Sequence, residues 1–349
     1  MLPMKTATMN RLLIKATVHR TLERLTEAPE REIRNLIDMG MAFSNGRFQK
    51  QIFATAQTML QNPDSAYYTL VNQAANHIDH KRLLTFGMNI GYESCTKGAA
   101  TIRTIEAKEG FNIPWAITLS LDAAVTNAHP EYYERLLNQC TNLGIYTILL
   151  HVNDSLSTIL PLIKKYPRIA FVLFLKGKTL SPNHLQALKA LHNVMIFIAD
   201  DGDVSKACEK LYTERMLYGI YRLYNEANYQ LVIQESWLDT LLQYHPTLVI
   251  TVSDDSCPIH ISNAVYQFIC QKRAGQHYPF ILMDLQHDLQ LIDQIISDDL
   301  CLVCFDKDGT LHTLNGRSEN PMHNFFKHPL KDILKDALKK TAPKTKKTQ

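Results

Sequence analysis

Carboxylates, imidazoles, amides and amines recur directly after short apolar runs in this chain. They are Asp122, His151 with Asn153 and Asp154, Lys176, Asp200, Asp254, and Asp284 with His287. Side chains of these types, gathered at one place, can ligate Mg²⁺, Mn²⁺ or Zn²⁺ and activate water. A plainer reading competes: loops leaving strands are rich in Asp and Asn because these side chains cap the next helix and tolerate turn backbones. Ala199-Asp200-Asp201-Gly202-Asp203 looks like such a turn. Asp284 and His287 are the pair least easily assigned to capping.

The apolar runs are what must position these residues. Trp115–Leu121, Tyr146–Val152, Ile169–Leu175, Val194–Ala199, Leu217–Leu223, Thr247–Val252 and Phe280–Met283 read as strands. They are rich in Ile, Val, Leu and Phe without polar alternation, as expected when both faces of a parallel sheet are covered. Amphipathic stretches lie between them: Glu131–Leu143, Leu156–Lys165, Pro182–Leu191, Val204–Arg215, Ser236–Tyr244 and Ile261–Lys272. Six or seven such βα units favour a barrel or partial barrel over an open doubly wound sheet, and the polar residues above then fall at the strand ends where barrels place their chemistry.

Residues 1–110 carry helical periodicity only, with a cap at Ser65 and another at Asp79, and read as an all-α N-terminal domain of five or six helices. The β/α barrel is expected over 111–299 and a hairpin region over 300–330, where Cys301–Phe305 and Thr310–His312 flank an Asp/Gly turn. A short helix and a basic disordered tail fill 331–349. That last stretch holds seven Lys and two Asp, a net +5 within a chain of net +3, so the remainder carries −2 and shows no basic face for nucleic acid. No apolar run approaches the roughly 18 residues of a bilayer span. Seven scattered cysteines suit reduced thiols, and a cytoplasmic protein is expected. Cys301-x-x-Cys304 has no second pair to complete a zinc set. Phosphate-binding GxGxxG and GxxxxGK[ST], the GxSxG nucleophile turn and HExxH are absent.

Three features together resemble one group of bacterial radical S-adenosylmethionine (SAM) proteins, those with a SPASM-type C-terminal region. They are the helical preface running into Phe111–Asp122, FNIPWAITLSLD; the step from Tyr132–Leu143 through Gly144-Ile145-Tyr146 into a strand; and MDLQHD (Met283–Asp288) followed by FDKDGTLHTL (Phe305–Leu314) and PLKDIL (Pro329–Leu334). The resemblance spans roughly residues 45 to 340 and implies a partial (β/α) TIM-type barrel. In the family the loop after the first strand carries CxxxCxxC, which holds a [4Fe–4S] cluster. Here Ala123–Pro130 contains no cysteine, and His129 is a poor substitute for a thiolate. The family's GGEP is replaced by His151-Val152-Asn153-Asp154, and its hairpin cysteine by Leu314.

Cluster and SAM are therefore expected to be absent. The expected function is that of a pseudoenzyme that binds a partner protein, a peptide or a small ligand in the old barrel mouth. The alternative is a divalent-metal-dependent hydrolase or lyase using the carboxylates and histidines there, with Asp284 and His287 as its ligands.

Overall fold

The computed structural model describes residues 3–25, 29–43, 47–152, 156–297, 299 and 301–340. Among these, six helices precede the sheet: α1 (Pro3–Arg24), α2 (Pro29–Phe43), α3 (Arg47–Met59), α4 (Ala66–His77), α5 (His80–Met88) and α6 (Ala99–Glu109). A ten-residue π-helical segment, Asn89–Gly98, joins α5 to α6. The expected caps are present: Ser65 accepts from the Tyr67 N–H and Asp79 from the Arg82 N–H. The basic tail lies outside the described residues beyond 340.

The sheet strands are β1 (Ala116–Leu121), β2 (Thr147–Val152), β3 (Ala170–Leu175), β4 (Val194–Ala199), β5 (Tyr218–Tyr224), β6 (Leu248–Ser253) and β7 (Ile281–Asp284). Each lies within one residue of its expected bounds. The interleaved helices are α7 (Ala123–Ala128), α8 (Pro130–Leu143), α9 (Leu160–Lys165), α10 (Pro182–Lys189), α11 (Val204–Thr213), α12 (Tyr229–Val232), α13 (Glu235–Leu241), α14 (Ile259–Gly275) and α15 (Leu285–Ser297). The chain closes with β8 (Cys304–Phe305), β9 (Leu311–Thr313), β10 (Gly316–Arg317) and α16 (Leu330–Ala337). No described helix is long and apolar enough to cross a membrane.

All ten strands form one sheet in the order β10-β9-β8-β1-β2-β3-β4-β5-β6-β7. From β8 to β7 the strands are parallel, while β9 and β10 fold back antiparallel as the expected hairpin. β7 and β10 are edges, so the barrel is partial and open. Parallel neighbours in chain order require every connection to cross in the same sense, and right-handed crossovers put the connecting helices on one face. The other face is left as the inner surface. Cys301 precedes β8 instead of sharing a strand with Cys304, so the two do not form a strand-borne pair.

The N-terminal helices meet the entry ends of the strands in sequence. The Ala66 N–H donates to Gln276 O before β7, and Asp79 N–H to Arg215 O before β5. Arg82 donates to Lys189 O and Leu191 O before β4, Asn89 to Pro167 O and Ile169 O before β3, and Lys97 to the Tyr146 hydroxyl before β2. One apolar core runs from Ile78 to Leu334 and so crosses residue 110 without a break. The mouth at the opposite, C-terminal ends of the strands is left uncovered by this layer.

Gly98 and Gly144 make the closest approach in that layer. A Cβ on Gly98 would run into the Gly144 carbonyl oxygen, and Gly144 itself holds φ +94°, a helix-ending conformation glycine adopts without strain. Gly98→Ala is therefore expected to destabilise the fold by about 1–3 kcal/mol, because a backbone atom and not a flexible side chain must move. A urea midpoint within error of wild type would refute this packing argument.

Candidate functional site

The strand-end residues do not share one surface. Residues directly opposite in a parallel register lie on one face, and Ser120, His151, Phe174, Phe197 and Gly219 are opposed in turn across β1 to β5. Arg222, Thr251 and Asp284 are opposed on the alternate face across β5 to β7. Trp237 of α13 reaches Asp200, and Asn263 and Tyr266 of α14 reach His287, so this second face is the helix-covered one.

Expecting all these residues at one mouth therefore needs correction: Asp200, Asp284 and His287 belong to the helix side. The cause is the two-residue period of a strand, which sends neighbouring positions to opposite faces.

On the helix side, Asp284 is fully buried and its carboxylate is saturated with donors. Oδ2 accepts from the Tyr224 hydroxyl at 3.0 Å and from Thr251 Oγ1 at 2.9 Å. Oδ1 accepts from the His287 N–H at 3.1 Å and lies 2.7 Å from His287 Nδ1. The His287 ring stacks on Tyr266 at 4.4 Å and its Nε2 meets Asn263 at 3.3 Å. Behind this pair the Asp284 N–H donates to Asp288, which accepts two bonds of 3.0 Å from Arg273. Burial raises the Asp288 carboxyl, and Arg273 opposes that shift. Burial and the nearby Asp284 carboxylate push the Tyr224 phenol upward, keeping it a donor. This network locks α15 and α14 to β5, β6 and β7. Thr251 was not among the sequence candidates; its signal is a lone hydroxyl inside the otherwise apolar strand run LVITV.

The other carboxylates have local partners. Asp122 caps α7 by accepting from the Val125 N–H at 3.0 Å. Asp200 accepts from Arg222 at 3.0 Å and from Trp237 Nε1 at 2.8 Å. Asp254 is exposed and closes a turn onto the Ser256 N–H and hydroxyl, which lower its pKa. Lys176 stands exposed before a 3-10 turn. Asn153 and Asp154 lie outside the described residues. Among the described residues, no three His, Cys, Asp or Glu side chains gather as metal ligands would.

The inner face carries an aromatic shelf. The His151 ring stacks on Phe174 at 4.7 Å, Phe174 stacks on Phe197 at 5.3 Å, and Tyr221 meets Phe174 edge-on. Gly219 has no side chain, so the Phe197 ring can lie where a Cβ would be only 2.5 Å from it. Burial pushes the His151 pKa down to about 4, which leaves a neutral imidazole at neutral pH. Leu223 of β5, Leu231 of α12 and Ile259 of α14, three elements at that end of the sheet, are 55%, 49% and 72% exposed.

A radical SAM barrel implies a cluster held by thiolates after β1. In this chain the segment is not an open loop but helix α7, capped by Asp122 and bearing no sulfur, followed by His129 engaged with Glu131 at 3.1 Å. All seven cysteines lie elsewhere and are free of disulfides. Burial pushes Cys95, Cys208 and Cys304 up to about 12 and raises Cys140 and Cys301 as well, which keeps them as thiols. The residues after β1 do not fit a thiolate-held cluster.

No protein-family model matches the chain, and no curated protein matches it. Solved structures do. SuiB from Streptococcus suis is 10% identical, with a TM-score of 0.50 over 92% of this chain and 82% of that one. Streptococcus suis SuiB bound to precursor peptide SuiA is also 10% identical, with a TM-score of 0.50 over 71% of each chain. Identity this low speaks for the fold alone, and the fold is a partial (β/α) TIM-type barrel of the radical SAM kind behind an all-α N-terminal region.

Proposed function

We propose that this chain is a catalytically inactive, radical-SAM-like binding protein, cytoplasmic, holding neither an iron–sulfur cluster nor SAM. It takes a peptide or protein partner with apolar side chains at the barrel mouth. The observation that carries this reading is α7: the stretch that would have to present cluster ligands is a capped helix without a thiol. The exposed Leu223, Leu231 and Ile259 side chains on β5, α12 and α14 support an apolar partner. The fold it shares with a peptide-bound SuiB is consistent with a peptide as that partner. The half-buried neutral His151 on this inner face brings no charged nucleophile to the mouth.

The test is anaerobic reconstitution with iron and sulfide, followed by elemental analysis and assay for 5′-deoxyadenosine from SAM. No bound iron in stoichiometric amount and no deoxyadenosine are expected. Either one found in stoichiometric or catalytic amount sinks the proposal. Leu223→Asp and Ile259→Asp are exposed changes expected to shift stability by no more than about 0.5 kcal/mol while abolishing partner capture.

A further inference from the structure

A cleft of about 290 Å³ lies at the end of the sheet opposite the mouth, in the seam between α4 and the segments that enter β5 and β6. Its floor is apolar and buried, made by Leu70, Ile78, Met216 and Tyr218. Asn72, Gln73 and Asn76 of α4 stand along one rim, all exposed. His77, the last residue of α4, stacks across the seam on Tyr212 at 3.5 Å, and His245 lies tilted against Tyr212 at 5.1 Å. His245 is held at φ +47°, a left-handed conformation uncommon for a residue with a Cβ. It follows a 3-10 turn, Leu242–Tyr244, and so projects at the cleft edge.

The lining has a definite chemistry. It includes no carboxylate, ammonium or guanidinium, and the Arg215 guanidinium beside it is already engaged by the Asn76 carbonyl at 3.3 Å, so the cleft offers little to neutralise a charged ligand. Side-chain amides each present a donor and an acceptor side by side, the pattern that pairs with the edge of a nucleobase. Aromatic rings supply the stacking that bases of any identity accept. The Asn76 amide already bonds Asn72 at 2.6 Å, which sets two of the amides relative to one another. We propose that this cleft binds an uncharged nitrogen heterocycle of the nucleobase class, as the free base or nucleoside. The absence of any cation in the lining makes a phosphate on the ligand a liability and not an anchor.

The site is independent of the proposed mouth function. It lies between the α-helical region and the barrel, so occupancy couples two parts of one core without touching the inner shelf.

The experiment is saturation-transfer NMR on the full chain with adenine, cytosine, uracil, adenosine and adenosine monophosphate. At least one base or nucleoside is expected to saturate with a Kd of about 1 mM or tighter, and the monophosphate should bind no better than its nucleoside. His245→Asn removes the ring and keeps a residue tolerant of left-handed backbone, and Gln73→Ala alters only an exposed helix position. Each is expected to weaken binding by about tenfold, the factor that loss of one stacking or paired amide contact brings. Unchanged unfolding midpoints in both variants separate lost contacts from lost fold. His151→Ala, in the mouth, should leave the affinity unchanged. No saturation by any probe, a preference for the monophosphate, or binding unaffected by both cleft variants would each overturn the assignment.

Discussion

Replacing Asp284 by alanine is expected to destabilise the protein by about 3–5 kcal/mol, the range for removing one partner from a buried charged network. Four donors converge on its two oxygens: the hydroxyls of Tyr224 and Thr251, and the backbone N–H and ring of His287. Alanine leaves the fully buried Tyr224 and Thr251 hydroxyls facing a void, where unsatisfied polar groups are most costly. Asp254→Ala serves as the contrast. Asp254 is exposed and bonds only its own turn, so its loss should change stability by about 0.5 kcal/mol at most. Urea unfolding of both variants checks the pair of numbers. Equal midpoints would mean that the Asp284 network does not hold β5, β6, β7 and α15 together.

Asp293→Asn is expected to stabilise the protein at neutral and mildly alkaline pH and to flatten its stability profile. Asp293 of α15 is buried where that helix meets the entry to β1, and its Oδ1 accepts from the Trp115 N–H at 2.6 Å. Burial pushes its pKa up to about 8, with the Trp115 N–H pulling down and the nearby Glu106 carboxyl adding to the rise. Glu106, which accepts from the Ile113 N–H at 2.8 Å, is itself raised by burial. The unfolded chain gives up the Asp293 proton near its ordinary value of about 3.9. The folded pKa lies above the unfolded one, so this group's contribution is complete below about pH 4 and falls away as pH rises toward 8. Each pH unit in that window costs about 1.4 kcal/mol. Asparagine keeps an oxygen for Trp115 and has no proton to lose. Thermal melts from about pH 5 to about pH 9 should show the wild-type slope shrink in the variant, with Glu106, Asp288 and the other shifted groups accounting for what is left. An unaltered slope would mean that Asp293 is not the group being titrated.

How much of this molecule could be read along the chain depends on the range of the interactions involved. The seven apolar runs from Trp115 to Met283 became seven parallel strands, because a strand buried on both faces must be apolar at every position. The caps at Ser65 and Asp79 and the Asp306–Gly309 turn of the hairpin were also legible, since each depends on contacts only a few residues apart. α7 and α15 were not. The family resemblance makes Ala123–Pro130 a loop, while its own Asp122 cap and alanine-rich composition make Ala123–Ala128 a helix. Met283–Asp288 resembles a family motif, although its Asp284 ends β7 and its His287 stands in the first turn of an amphipathic helix.

The functional candidates show the same division more sharply. That Asp200, His151 and Asp284 stand at or just beyond strand ends follows from the sequence. That His151 faces the inner shelf while Asp200 and Asp284 face the helices does not. Alternation along a strand is local, but which parity points inward is decided by register with the neighbouring strands and by the side on which the crossovers pack. The layer that α4 to α6 lay across the strand entries, and the cleft it leaves beside α4, depend on contacts between residues more than a hundred positions apart, such as His77 with Tyr212 and Arg82 with Leu191. Residue types along the chain determined what chemistry was on offer and that the thiols of a cluster were missing after β1. Only the tertiary structure decided which of the remaining groups meet, because burial and pairing are set by the sheet as a whole.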